Sequence, residues 1–317
     1  MIKDKPYAYF LTGILISLLG AICFSTKAVM VKLAYRETDI DAVTLLALRM
    51  LFSLPFFLLS ATAASRKHSN VRFTGRQWIA IALIGMLGYY VSSYLDFVGL
   101  QYITAGMERL ILFIYPTIVL LISVVVFREK IRQRQMIALI ITYAGLLLAF
   151  WGEVDFNQAA TADFYFGALC IFLCAITFAT YIAGSGRLIP LVGASKFNSY
   201  AMSFACAAVL VHFFVVSDRS LLHLSTEVYV YSLLMAVVAT VIPSYLVAEG
   251  IKRIGSENAA IVGSVGPIST IIQAYFFLQE PIFALQLAGT ALILVGVLMI
   301  GKKKQDQPVA SVVKPSA

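Results

Sequence analysis

The fold class this sequence predicts is an all-α polytopic membrane protein, with ten transmembrane helices arranged as two inverted five-helix repeats. Three observations lead there. Of 317 residues, 61% are hydrophobic and only 13% are charged, about half the charge a soluble domain uses to coat its surface; the mean hydropathy is +0.90. Apolar runs of about 20 residues, the length that crosses about 30 Å of hydrocarbon, recur along the whole chain. The chain also matches itself when shifted by 151 residues.

Taken in order, apolar runs between polar breaks place helices at 7–33, 42–63, 77–101, 104–127, 134–152, 163–189, 196–217, 227–250, 256–279 and 281–301. The first is too long for a signal-peptide core and is followed by no small-residue cleavage site, so it reads as a retained helix. The third and fourth are joined by a very short turn. The fourth opens on adjacent Glu108 and Arg109 before it becomes uniformly apolar. The sixth contains Cys170 and Cys174, and Cys23 and Cys206 also lie in apolar stretches. All four read as small packed hydrophobes, with neither a disulfide framework nor metal spacing. The eighth carries Pro243-Ser244, and the ninth carries the small-residue run VGSVGP ending at Pro267. Residues 302–317 (KKKQDQPVASVVKPSA) form a polar segment expected to be a disordered cytoplasmic tail.

Charge then orients the chain. With the N-terminus in the cytoplasm, inner segments hold eighteen lysines and arginines, and outer loops hold three: Lys32, Arg36 and Arg219. That is the positive-inside pattern, with both termini cytoplasmic. It accounts for the net charge of +8 without any nucleic-acid partner.

At the offset of 151, Ser93-Tyr94-Leu95 meets Ser244-Tyr245-Leu246, Gly99 meets Gly250, Pro116 meets Pro267, Glu129 meets Glu280 and Gly145 meets Gly296. Near the start of each half, at an offset of 154, Ala21-Ile22-Cys23-Phe24-Ser25-Thr26 meets Ala175-Ile176-Thr177-Phe178-Ala179-Thr180. Residues 7–152 and 163–301 are therefore read as two copies of a five-helix unit. Five is odd, so the second copy enters the bilayer from the opposite side, an architecture that recurs in secondary transporters with a shared site between the repeats. The pattern of Pro, apolar run, Glu, short polar loop and Gly, as Pro116…Glu129…Gly145 and again as Pro267…Glu280…Gly296, resembles the EamA-type transporters of the drug/metabolite transporter superfamily. The resemblance spans about residues 10 to 301. It implies a basket of ten helices in a bacterial inner membrane that moves a small organic metabolite, often outward. The stretch YLDFVGLQYITAGMERLILFIYPT departs from the bland apolar pattern of that family and suggests a polar site of its own.

Five charges lie inside the first half: Lys27, Arg49, Asp96, Glu108 and Arg109. Counted at about 1.5 Å per residue, all fall about 10 Å to the outer side of the midplane. A lone charge at that depth costs about 2.5–3.5 kcal/mol, so these groups must face the bundle interior or water. Neighbours in a helix point about 100° apart, so Glu108 and Arg109 are each expected to reach a different helix. Three cations against two acids leave one spare positive charge, fit for a substrate carboxylate or phosphate; a structural ion-pair network locking helices is the competing expectation. Tyr94, Tyr115 and Tyr245 are candidate cavity residues, with Tyr94 and Tyr245 flanking the cavity from the two halves. Tyr89, Tyr90 and Tyr181 also lie within spans. Pro116, Pro243 and Pro267 are candidate kinks or hinges. Glu129 reads as a boundary feature, and Glu249 as a surface partner of Lys252 or Arg253.

No phosphate-binding loop, dinucleotide fingerprint, HExxH or Ser/His/Asp arrangement is present, so neither an ATP-driven pump nor a hydrolase is indicated, no cofactor is implied and no metal site is assigned. The sequence thus points to a secondary transporter working by alternating access on an amino acid or related carboxylate, with Arg109, Lys27 or Arg49 meeting the anionic group. An exporter of cationic or amphipathic compounds, recognised by Asp96 and Glu108, is the alternative, and an intramembrane enzyme a more distant one. The expected partners are a small-molecule substrate and the lipid bilayer; ten helices can enclose a cavity without a second subunit.

Overall fold

Helices account for almost all of the computed structural model, which describes residues 5–66, 73–151, 162–279, 282 and 284–301. In chain order they are α1 (Lys5–Glu37), α2 (Ala42–Ser65), α3 (Gly75–Gly85), α4 (Ser92–Tyr102), α5 (Ala105–Leu112), α6 (Tyr115–Val125), α7 (Gln133–Phe150), α8 (Ala162–Val192), α9 (Ala194–Val216), α10 (Thr226–Ala236), α11 (Ile242–Ile254), α12 (Ser256–Val262), α13 (Gly266–Gln273) and α14 (Ala284–Gly301). Among the described residues, seven helices are long and apolar enough to cross a membrane, and three shorter apolar helices accompany them. Glu280, one partner in the sequence repeat, and the 302–317 segment lie outside the described residues.

The first amide groups of a helix have no partner within it, and side chains supply one here. Asp41 caps α2 by accepting from the Thr44 amide at 2.9 Å. Thr74 and Gln77 form a reciprocal capping box on α3. Thr104 accepts from the Met107 amide at 3.1 Å and so starts α5 after a link of only two residues from α4.

Two expectations are corrected. The single helix expected over 104–127 is two helices, because the chain turns at Phe113–Ile114. Pro116, expected to kink a continuous helix, instead lies in the first turn of α6, where its missing N–H costs nothing. Pro243 and Pro267 lie inside longer helical runs, Thr226–Ile254 and Ser256–Phe277, just after the π-helical segment Val237–Val241 and the 3-10 turn Gly263–Val265. The helix expected over 77–101 runs from α3 into α4 through a π-helical segment, Met86–Val91.

The irregular features recur. The π segment Met86–Val91 has a counterpart at Val237–Val241, beginning 151 residues later. The α5 start at Ala105, the α6 start at Tyr115 and the whole of α7 recur at the same interval as the starts of α12 and α13 and as α14. Two non-glycine residues have positive φ, Arg128 at 56° and Gln279 at 60°, and they too are 151 apart.

Packing between the halves is reciprocal. α1 lies along α11 as α4 lies along α8, while α2 faces α9 and α7 faces α14. In the last pair, a Cβ on Gly145 would come 2.6 Å from the Gly289 carbonyl oxygen, and a Cβ on Gly296 would come 2.8 Å from that of Ala138. Shifting either contact by 151 residues produces the other. Only glycine allows the two backbones this approach.

Candidate functional site

α1, α4 and α5 converge on a buried knot of charge. Lys27 Nζ lies 2.7 Å from Asp96 Oδ2 and 3.9 Å from Glu108 Oε1. Arg109 Nε lies 3.0 Å from Glu108 Oε2. All four residues are at most 4% exposed. The two-residue link between α4 and α5 brings the Asp96 and Glu108 carboxylates to one ammonium. Arg109 also donates to the Ser25 carbonyl on α1 at 3.4 Å.

The expectation that Glu108 and Arg109 could not pair is wrong. Their Cα–Cβ directions diverge, but both side chains have long stems, and burial leaves each no better partner than the other. Low dielectric makes a contact at this distance worth bending for. Asp96, which the short α4–α5 turn made a candidate partner for Arg109 or Lys27, meets Lys27.

Arg49 does not join the knot. Its guanidinium donates to Ser93 Oγ at 2.9 Å and sits 4.9 Å from the centroid of the Phe97 ring. Among the described residues, no carboxylate lies within ion-pair distance of it, and its Nε has no hydrogen-bond partner.

A partly open cavity of about 70 Å³ lies between the halves. Lys27 and Arg109 line its charged wall, with Ser92, Ser93 and Tyr115 beside them. Val247, Ala259 and Ala260 of the second half also line it. Tyr115 spans the halves, its hydroxyl donating to the Ala260 carbonyl at 3.0 Å.

The other candidates lie elsewhere. Asp96 and Glu108 stand behind the two cations and do not line the cavity. Arg49 reaches it only through Ser93. Tyr94, expected at the cavity, packs its ring 4.9 Å from that of His212 on α9. Tyr245, its equivalent, bonds Ser199 Oγ at 2.8 Å and packs by Phe57. Both tyrosines turn toward α9 because α4 and α11 present their opposite faces to the cavity. The repeat-equivalent aromatic pair that does line it is Phe24 and Phe178, with ring centroids 6.0 Å apart. Sequence reasoning passed over them, although the match at offset 154 places Phe24 opposite Phe178. Cys174 also lines the cavity, its Sγ 3.3 Å from Ser92 Oγ.

Away from the cavity, Glu129 pairs with Arg187 at 2.7 Å and links the α6–α7 connection to α8. Burial, with the Glu257 carboxyl as neighbour, pushes the Glu129 carboxyl above its ordinary range. Glu249 pairs with Arg253 at 2.8 Å and Lys252 at 3.4 Å, as its place beside them in the sequence suggests.

With this geometry in hand, comparison with known proteins is informative. The EamA-like transporter family matches residues 11–151 and again 165–302. A relative in Bacillus subtilis (strain 168), the uncharacterized transporter YcbK, is 32% identical over 285 residues, spanning 87% of this chain and 88% of its own. An uncharacterized transporter of Archaeoglobus fulgidus is 24% identical over 285 residues, 89% of this chain and 93% of its own. A crystal structure superposes with a TM-score of 0.73 at 16% sequence identity, covering 91% of this chain and 95% of that one. That likeness concerns the fold alone.

Proposed function

Because this chain belongs to the EamA-like transporter family, and is a multi-pass membrane protein, we propose that it moves a small carboxylate-bearing organic metabolite outward by alternating access. The observation that carries this reading is the cavity between the halves, whose walls come from both and whose charged wall presents Lys27 and Arg109. The two carboxylates lie behind those cations, which favours an anionic group on the substrate over a cationic one.

The scaffold is read as two inverted five-helix repeats. Support comes from element boundaries that recur after 151 residues and from the reciprocal contacts of Gly145 and Gly296. Repeats of opposite topology rocking about a shared site give alternating access. The lysine and arginine distribution supports a bacterial inner membrane orientation with both termini in the cytoplasm. The π segments and the breaks before Pro116 and Pro267 are places where the halves can flex.

Transport by purified protein in liposomes, across a radiolabelled amino-acid and organic-acid panel, tests this reading. Wild type is run beside Arg109→Gln and Glu108→Gln, each checked for a monodisperse elution profile. At least one carboxylate should move in wild type and slow at least tenfold in both variants. Undiminished transport by the variants sinks the assignment of the charged wall as the site.

A further inference from the structure

The charges around the cavity do not balance, and the imbalance has an address. Lys27 is matched by Asp96, and Arg109 by Glu108. Arg49 is 2% exposed, donates to a neutral hydroxyl and sits over a ring, and among the described residues no carboxylate lies within ion-pair distance of it. A guanidinium so placed has no carboxylate of its own among the described residues, since Asp96 is taken up by Lys27 at 2.7 Å, and low dielectric makes such a charge an attractor for an anion.

Ser93 connects it to the cavity. The Ser93 Oγ accepts from Arg49 at 2.9 Å, and Ser93 is one of the lining residues. A hydroxyl has a single donor proton. With its oxygen occupied by Arg49, that proton is free to point to the cavity side, where an anionic oxygen would accept it.

Among the described residues, no aspartate or glutamate lines the cavity, so an ammonium group entering it meets no counter-charge at the wall. Apart from the hydroxyls of Ser17, Ser92 and Tyr115, most of the remaining wall is apolar or aromatic, with Phe24, Phe178, Ile182 and Val247 among its members. We propose that the cavity recognises a monoanion with an apolar body and no ammonium group, and that Arg49, acting through Ser93, is the positioning residue that supplies the unbalanced positive charge. This rests on the reading of the cavity as the substrate site, and it narrows the substrate class from carboxylates in general to apolar monocarboxylates.

Calorimetric binding to the full chain in lipid nanodiscs, with empty nanodiscs subtracted for partitioning, tests it separately from transport. The probes are phenylacetate, its neutral isostere phenylacetamide, the zwitterion phenylalanine and the dianion phenylsuccinate. Phenylacetate should bind at least tenfold more tightly than each of the other three. Arg49→Gln should bring the acid-to-amide affinity ratio down to about one, whereas a merely structural loss would weaken both probes and keep the ratio. Arg49→Lys should restore most of it. Equal affinities for acid and amide in wild type, tighter binding of phenylalanine, no binding of any probe, or an unchanged ratio in Arg49→Gln each overturn the inference. Selective phenylacetate binding with no movement of any carboxylate in liposomes would leave this recognition intact and sink the transport reading instead.

Discussion

The two halves of the molecule share several element boundaries at one interval and differ in charge. At the offsets that align them, Lys27 corresponds to Tyr181, Asp96 to Val247, Glu108 to Ala259 and Arg109 to Ala260. One half brings four charges to the cavity region; the other brings a tyrosine, a valine and two alanines. The contrast separates what the scaffold requires from what the site requires. Helix breaks, π segments and close-approach glycines recur because they set how the backbone packs. The charged knot does not recur, because packing has no need of it. A solute between the halves would therefore meet polarity on one side and apolar surface on the other, which orients it.

The largest expected effect comes from breaking that asymmetry at Asp96. Asp96→Leu places the second half's chemistry in the first half and leaves Lys27 without its 2.7 Å partner. Stranding a buried charge costs about 3–5 kcal/mol, whereas replacing both partners with apolar groups is close to neutral. The apparent Tm in detergent should fall sharply for Asp96→Leu and recover in Lys27→Met/Asp96→Leu. A double variant as unstable as the single one would mean that the knot holds the helices together for reasons other than charge balance.

A smaller effect sharpens the other side of the comparison. Gly145→Val and Gly296→Val each push a side chain into the facing backbone, against the carbonyls of Gly289 and Ala138. Overpacking of this kind costs about 1–3 kcal/mol. If the scaffold is symmetric, the two variants should lower the apparent Tm by similar amounts. A large drop in one and none in the other would show that the halves have diverged in packing as well as in charge.

These features were not equally legible in the sequence. Charges inside apolar runs announce themselves because they are costly in lipid, and the repeated Pro and Gly do so because they recur at one fixed interval. The π segments left no such mark: MLGYYV and VVATV read as ordinary helix, and their widened turns follow from packing across the halves. Tyr94 and Tyr245 were misplaced because helical phase decides which face meets the cavity, and a run apolar on every side carries no phase information. Phe24 and Phe178 were present in the self-alignment but look like any other core aromatic. The Glu108–Arg109 pair was missed because Cβ direction is a poor guide to where long, buried side chains end.

The smallest expected effect concerns Tyr115, the candidate tyrosine that lines the cavity. Tyr115 corresponds to Gly266 in the second half, so its bond to the Ala260 carbonyl has no mirror image. The Gly266 carbonyl instead accepts from Ser25 on α1 at 3.0 Å, a different link across the same boundary. Tyr115→Phe keeps the ring contact with Phe178, at 5.2 Å between centroids, and removes only the hydroxyl. The loss should be about 0.5–1.5 kcal/mol, the net worth of one buried hydrogen bond. If this bond also holds the two walls of the cavity together, Tyr115→Phe should alter the rate of liposome transport by more than its small shift in apparent Tm implies. A transport rate equal to that of wild type would confine Tyr115 to packing and leave the charged wall of the first half as the part of the cavity that sets the rate.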